Sequence, residues 1–470
     1  MKFNQYYLDC LSHASYLIGD ESTGRAVVVD PPQRDVSEYL SDSAELGMRI
    51  ELVIETHFHA DFLSGHLELA AATGGQDRVL LGCRTGVRLH GGRGRRALLP
   101  GAGAVGVSAH PPGHTPPESL SIVIYEHPYD TQPYGVLTGD TLFVGDVGRP
   151  DLLASIGFSR EELADKLYDS LHDKLMTLPD TTRVYPAHGA GSACGKNLST
   201  DLWSTMGEQR RTNYALRAGD KATFMELVTE GQPPAPGYFV YDAILNRKDR
   251  ALLDEAQMPA PMTYSQVREA MNAGAMLVDG RTPEEFARGG HLRGAINIGL
   301  EGRYAEFAGS VVRPDVDIVL MTEPGMEREG KNRLARIGFD RVVGYLAEPY
   351  QTMFTHRDDV EVASRLTANG LGERMADVPE LQIVDVRNPG EAAAGMIAGA
   401  VNIPVGQLPA RVDELDPRKP TVVYCAGGYR SSVAASLLRQ HASPMSVMSW
   451  AATAPGKQPS RTPERKRKRS

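Results

Sequence analysis

Two stretches of this chain gather side chains that do chemistry. The string THFHADF sets His57, His59 and Asp61 at alternate positions, and His114, Asp140 and His188 follow singly at wide intervals. Imidazole nitrogens and carboxylate oxygens are the usual ligands of catalytic zinc and non-haem iron. In an extended segment alternate side chains point the same way, which turns the three groups of the string toward one space. The second stretch is CAGGYRS, which begins at Cys425 and follows the apolar run TVVY. There Gly427 and Gly428 let backbone N–H groups curl around the cysteine sulfur, the helix expected from Ser432 presents its positive end, and Arg430 adds a cation. Such a cradle favours the thiolate, the nucleophilic form, and suits an anion bound at the same place.

These residues need a scaffold, and the pattern supplies one. Short apolar runs end at each reactive residue: Ile50 to Ile54 before His57, Val105 to Ser108 before the loop of His114, Gly135 to Leu137 before Asp140, and Val184-Tyr185 before His188. Side chains on loops above a rigid sheet are where sites are usually built. Further on, the chain repeats itself. LVDGRTPEEFARGGHLRGAINI from Leu277 parallels IVDVRNPGEAAAGMIAGAVNIP from Ile383, and IVLMT from Ile318 parallels TVVYC from Thr421. Strands alternating with helices read as parallel α/β domains. Two Pro-rich breaks, GQPPAPGYF from Gly231 and MPAPM from Met258, mark the linkers. The expected division is residues 1–255, 260–355 and 365–470.

Composition narrows the class. Among 470 residues, 41% are hydrophobic and 23% charged, with a net charge of −9. The body of the chain carries no basic stripe, which argues against nucleic acid as a partner. No apolar run approaches the roughly 20 residues that cross a bilayer, so no membrane is expected. Cys10, Cys83, Cys194 and Cys425 are too scattered for a disulfide framework or a zinc knuckle, which points to reduced thiols in the cytoplasm.

The His and Asp pattern resembles the metallo-β-lactamase superfamily, whose HxHxDH motif is followed by distant His, Asp and His. The resemblance implies an αββα sandwich for the first domain. Phe62 stands where the motif has its last His, a residue that helps hold a second metal in dinuclear members. LTGDTLFVGDVGRPDL from Leu137 and YPAHGAGSACGKNLS from Tyr185 resemble the persulfide dioxygenases. That likeness implies one Fe(II) per site, held by His57, His114 and Asp140, with His59, Asp61 and His188 supporting it or sharing in metal binding. The implied substrates are a small-molecule thiol persulfide and O2, and the product is sulfite. Arg149 is expected to bind substrate and Cys194, in the loop after His188, to take part in catalysis. His13, His66, His90, His110, His127 and His172 are not expected to be ligands. The alternative is a zinc thioester hydrolase of the glyoxalase II type, against which the loss of the motif His at Phe62 argues. A non-enzymatic sulfur relay through Cys425 and Cys194 fits poorly with an intact ligand set.

The six residues from Cys425 to Arg430 resemble the active-site loop of rhodaneses, which implies sulfur transfer through Cys425, with Arg430 in a catalytic role and Gly427 and Gly428 binding substrate. Asp385 and Arg387 are expected to pair beneath the loop. In the first copy Thr322 stands where Cys425 aligns, followed by EPGMEREG, so that copy is expected to be inert. The whole pattern resembles dioxygenase–sulfurtransferase fusions that form homo-oligomers, in which sulfite made at one site leaves the other as thiosulfate. The end of the chain departs from the family. One allowed coding of Met448 to Lys457, read in the neighbouring frame, gives the rhodanese-like ending DVLGGYGAWK. The expectation is therefore a frame shift after His441, a missing last strand, and a tail after Ala454 with almost nothing to bury.

Overall fold

The computed structural model describes residues 1–33, 36–73, 79–81, 105–108, 119–127, 129–152, 159–232, 235–441 and 447–451. His114, Cys83, His90, His110 and the tail after Ala451 lie outside them. The chain divides into two compact units, Met1–Leu253 and Asp254–Ser470. Among the described residues no helix is long and apolar enough to cross a membrane.

In the first unit β1 (Lys2–Leu8), β2 (His13–Asp20), β3 (Arg25–Val29), β4 (Arg49–Glu55) and β5 (Val79–Leu81) form one sheet in that order. β6 (Val105–Ser108), β7 (Ser121–Ile124), β8 (Gly135–Gly139), β9 (Arg183–Pro186) and β10 (Ser204–Thr205) form a second, again in sequence. The central strands β3 and β7 are apolar on both faces, and period-2 alternation decides which residue goes where. Val27 and Val29 of β3 meet Ile122 and Ile124 of β7 in the core between the sheets. Val28 faces the opposite way, packing with Tyr39 and Leu69 of the helices Val36–Glu45 and His66–Ala72. Val123 likewise turns outward onto Ala164, Leu167 and Leu171 of the helix Arg160–Asp173. Those three lie at i, i+3 and i+7, one helical face. The result is helix, sheet, sheet, helix, the expected αββα sandwich.

The second unit holds two parallel sheets of identical order. β11 (Pro261–Met262), β12 (Met276–Asp279), β14 (Ile296–Asn297), β15 (Ile318–Met321) and β16 (Val342–Leu346) run β11-β16-β15-β12-β14. Inside the first copy β13 (His291–Leu292) pairs antiparallel with β17 (Val360–Glu361), which lies on the link between the copies. β18 (Ser364–Leu366), β19 (Gln382–Asp385), β20 (Val401–Asn402), β21 (Thr421–Cys425) and β22 (Val447–Ala451) run β18-β22-β21-β19-β20. Equivalent registers recur: Asp279 pairs with Met321 and Asn297, and Asp385 with Tyr424 and Asn402.

One expectation is corrected here. The last strand is present: Val447–Ala451 lies between β18 and β21, paired with β21 along its length and with β18 from Met448 to Trp450. The segment VMSWA has the β-branched and aromatic character a strand needs, and its backbone hydrogen-bonds whichever frame encodes it.

Candidate metal centre and cysteine loop

The imidazoles and carboxylates of the first unit collect where strands of both sheets end. β4 stops at Glu55, and THFHADF continues as a loop rather than the extended strand expected. Burial still alternates, with His57, His59 and Asp61 inside and Phe58 and Ala60 half-buried. The three residues reach different partners. His57 Nε2 lies 3.7 Å from Asp140 Oδ2. His59 Nε2 lies 3.1 Å from Asp30 Oδ1 and 3.4 Å from Glu55 Oε2. Asp61 Oδ2 lies 3.4 Å from His188 Nε2, which is also 3.4 Å from Asp140 Oδ1. Asp140 therefore stands between His57 and His188.

The hydrogen bonds behind these rings fix their tautomers. The Thr56 hydroxyl donates to Asp30 Oδ2 at 2.8 Å and lies 3.0 Å from His57 Nδ1, so the ring must donate from Nδ1. His188 Nδ1 lies 3.1 Å from the Ser12 carbonyl oxygen, which only accepts. Both Nε2 lone pairs are thus turned toward Asp140. Lone pairs facing carboxylate oxygens repel one another unless a cation lies between them. His188 Nε2 and Asp61 Oδ1 are buried and make no hydrogen bond among the described residues. Ligand atoms bonded to one ion at about 2.1 Å sit roughly 3–4 Å apart, the spacing found here. The donor set fits a metal ion, and the orienting carbonyl and hydroxyl are the supports such ligands normally have.

Two non-glycine residues hold strained backbone to do this. Ser12 and Asp30 both have φ of 50°. The Ser12 carbonyl fixes His188, while the Asp30 carbonyl lies 2.8 Å from His13 Nε2 and its carboxylate meets His59. Left-handed φ costs energy and is kept where the site requires it. Gly139, just before Asp140, has φ of 53°, and a Cβ there would fall 2.8 Å from the Thr56 hydroxyl oxygen. Only glycine brings β8 this close to the residue that orients His57.

Sequence reasoning missed part of this cluster. His13, set aside as a non-ligand, opens β2, bridges to His188 across the sheets, and lies with His59 and His188 in one group whose ring nitrogens are within 4.8 Å. Burial, reinforced by His188 and His59, lowers its pKa well below the usual imidazole value. His66 meets Glu55 at 3.6 Å. Nothing local marks these residues, since only the packing of the two sheets brings them in. By contrast His127 lies in a turn and His172 stacks on Tyr168 in a helix. Phe62 is fully buried, its ring centroid 4.1 Å from that of His13 and 4.2 Å from that of His59.

Cys194 is buried and shares a second group with Asp61 and His188. Burial, then the Asp140 and Asp61 carboxylates, push its thiol well above the usual value, which disfavours a thiolate. Arg149 lies beside that loop. Its side chain is wholly buried, chelates Asp151 at 3.0 and 2.7 Å, and donates to the Ala193 carbonyl at 3.0 Å. In this arrangement the guanidinium holds the loop carrying Cys194.

In the second unit Cys425 ends β21, and its sulfur accepts from the Gly428 N–H at 3.1 Å and the Ser431 N–H at 3.4 Å. Gly428 has φ of 90°, which bends the loop back over the sulfur. A Cβ on Gly427 would meet open space. The helix begins at Tyr429, three residues earlier than expected. Arg430 interacts with Cys425 but is shared: its two terminal nitrogens bind both carboxylate oxygens of Glu391 at 2.5 and 2.9 Å. Glu391, missed in the sequence, thus moderates the cation. Beneath the loop Arg387 pairs with Asp385, Tyr424 donates to Asp385 at 2.8 Å, and Asn402 Nδ2 donates to the carbonyls of Asp385 and Arg387 at 2.9 Å each.

The first copy keeps that foundation in Asp279, Arg281 and Asn297. Its loop is filled differently. Gly325, three residues after Thr322, donates its N–H to the carboxylate oxygens of Glu327 at 3.1 and 3.0 Å. Glu327 holds the place in the loop that Arg430 holds in the other copy, so the charge is reversed.

The family model described as Rhodanese-like domain matches residues 263–351 and 367–451. A metallo-β-lactamase crystal structure from Staphylococcus aureus subsp. aureus COL is 31% identical, with a TM-score of 0.63, over 73% of this chain and 98% of that one. The mitochondrial persulfide dioxygenase ETHE1 of Homo sapiens is 31% identical over 37% of this chain, which spans 63% of that enzyme. A hydroxyacylglutathione hydrolase of Synechococcus sp. (strain JA-3-3Ab) is 32% identical over 47% of this chain and 89% of its own length.

Proposed function

We propose, for a chain that belongs to the fusions of a metallo-β-lactamase-fold domain of the persulfide dioxygenase type with rhodanese-like domains, that it oxidises low-molecular-weight thiol persulfides and passes sulfur to the product. The first reaction is R–S–SH + O2 + H2O giving R–SH, sulfite and two protons. His57, His114 and Asp140 would hold one Fe(II), which would supply the redox chemistry that lets ground-state O2 react. The His188 Nε2 lone pair and the Asp61 carboxylate, on the other side of Asp140, would share in holding the metal. Cys194, kept protonated, lines the site as a neutral sulfur.

At the second site the Cys425 thiolate takes the outer sulfur of another persulfide. The R–S–S bond breaks, a Cys425–S–S bond forms, and the carrier thiol leaves. Sulfite then attacks that outer sulfur, thiosulfate departs, and the Cys425 thiolate returns. The N–H groups of Gly428 and Ser431 carry the negative charge at each stage. Joining the two sites in one chain raises the sulfite concentration that Cys425 meets.

Phe62 carries the choice of reaction. Its ring sits against His13 and His59 where the superfamily motif places an imidazole, which supports a single metal over a two-metal hydrolase. The hydrolase relative favours a second reading, thioester hydrolysis at zinc. Metal analysis of anaerobically purified protein, with an oxygen electrode and glutathione persulfide, separates them. One iron per chain and O2 uptake are expected. Zinc, with S-lactoylglutathione hydrolysis and no O2 uptake, would sink the dioxygenase reading.

A further inference from the structure

The copy without a cysteine touches the loop of the copy that has one. The helix Tyr429–His441 lies against β14, and three hydrogen bonds join its first turns to that edge. The Ser432 hydroxyl donates to Asn297 Oδ1 at 2.5 Å. The Asn297 N–H donates to the Ser436 hydroxyl at 3.0 Å. The Tyr429 hydroxyl donates to the Gly299 carbonyl at 2.6 Å, and the Tyr429 ring packs near Phe307. Asn297 is fully buried and Ser432 nearly so.

Asn297 has no freedom to answer this contact by turning. Its Nδ2 donates to the carbonyls of Asp279 and Arg281 at 3.1 and 2.9 Å, the foundation of its own copy. Oδ1 is therefore presented outward in a fixed direction. Ser432 follows Ser431, whose N–H faces the Cys425 sulfur, and its own N–H closes onto the Gly428 carbonyl at 3.1 Å. Holding Ser432 consequently holds both N–H groups of the cradle.

We propose that Asn297 is a positioning residue for Cys425: the inert copy, through Asn297 and Ser432, sets the first helical turn whose N–H groups address the sulfur. The proposal rests on the sulfur-transfer reading above and adds to it a role for the copy that lost its nucleophile.

The test uses the full chain, with thiosulfate as sulfur donor and cyanide as acceptor. Asn297→Ala and Ser432→Ala each lower kcat by about tenfold with KM for thiosulfate within about twofold, the scale of one buried hydrogen bond. The double variant is no worse than Asn297→Ala alone, because that change has already removed the contact Ser432 makes. Ser432→Thr, which keeps the hydroxyl, restores most of the rate, and this mild variant guards against a fold defect in Asn297→Ala. Wild-type kcat in Ser432→Ala, additive losses in the double variant, or Ser432→Thr as slow as Ser432→Ala would each overturn the proposal. Alkylation of Cys425 by iodoacetamide, followed in the same proteins, needs no sulfur transfer. If wild type transfers no sulfur yet alkylation slows in both alanine variants, positioning stands and the activity reading falls. If alkylation is unchanged in both, positioning falls.

Discussion

Gly325 and Gly428 stand at the same step of two copies of one loop, with φ of 93° and 90°, and their N–H groups end on different acceptors. The Gly428 N–H reaches the Cys425 sulfur at 3.1 Å, whereas the Gly325 N–H is taken by the Glu327 carboxylate. The place an anion needs is already filled from within. Thr322→Ala should therefore change neither product nor rate. Restoring the thiol alone should fail too: Thr322→Cys, placed in a Cys425→Ser background, should show no thiosulfate–cyanide transfer. Transfer in that variant would mean Glu327 does not block the loop.

The two sites should be separable. Asp140→Ala removes the carboxylate between His57 and His188, and bound metal and O2 uptake should both fall at least tenfold. Cys425→Ser should leave O2 uptake intact and shift the product from thiosulfate to sulfite. Loss of O2 uptake in Cys425→Ser would end the two-site scheme.

Gly139→Ala should be costly although it adds one methyl group. Left-handed φ in a non-glycine residue costs about 1–3 kcal/mol. The new Cβ also meets the Thr56 hydroxyl oxygen at 2.8 Å. Thermal unfolding should shift down, and metal should be lost together with stability, since Thr56 orients His57. A variant with wild-type melting and metal content would show that this close approach is not needed.

Stability of the second unit should fall in mild acid through His291. Its Nδ1 donates to the Phe286 carbonyl at 2.9 Å, which leaves Nε2 to accept from Arg439 at 3.3 Å. Burial, aided by Arg439 and Arg281, lowers its pKa from 6.5 to about 4. Between those values the unfolded chain binds the proton and the folded one does not, so stability falls as pH falls and the loss levels off below about 4. The full effect is about 3 kcal/mol. Urea titrations across that window should show the decline, and His291→Gln should flatten it. An unchanged slope in His291→Gln would assign the acid sensitivity elsewhere.

Much of this was legible in the sequence because strand ends mark themselves. Each apolar run named there is a strand, and β4, β8, β9 and β21 end within a few residues of His57, Asp140, His188 and Cys425 respectively. The repeat gave the second unit its two sheets. What stayed hidden depends on contacts between distant segments. His13, Asp30 and Glu391 carry no local signature and enter only when strands pack. Arg149 reads as a free cation until burial ties it to Asp151, a residue only two positions on. The tail misled for a different reason: a change of side chains removes a family resemblance, but strand pairing is made by the backbone, and Val447–Ala451 still pairs on both edges.

The position of β22 also sets an order in time. β18, the first strand of its sheet, hydrogen-bonds to β22, the last one described, and to no other strand among the described residues. On the ribosome β18 must wait, unpaired, until everything between has been made, an interval of several seconds. The inert copy closes its own sheet with β16 long before that. Its β14 edge is then a finished surface when the Tyr429–His441 helix emerges, so the copy that cannot react is the template on which the reactive one is completed.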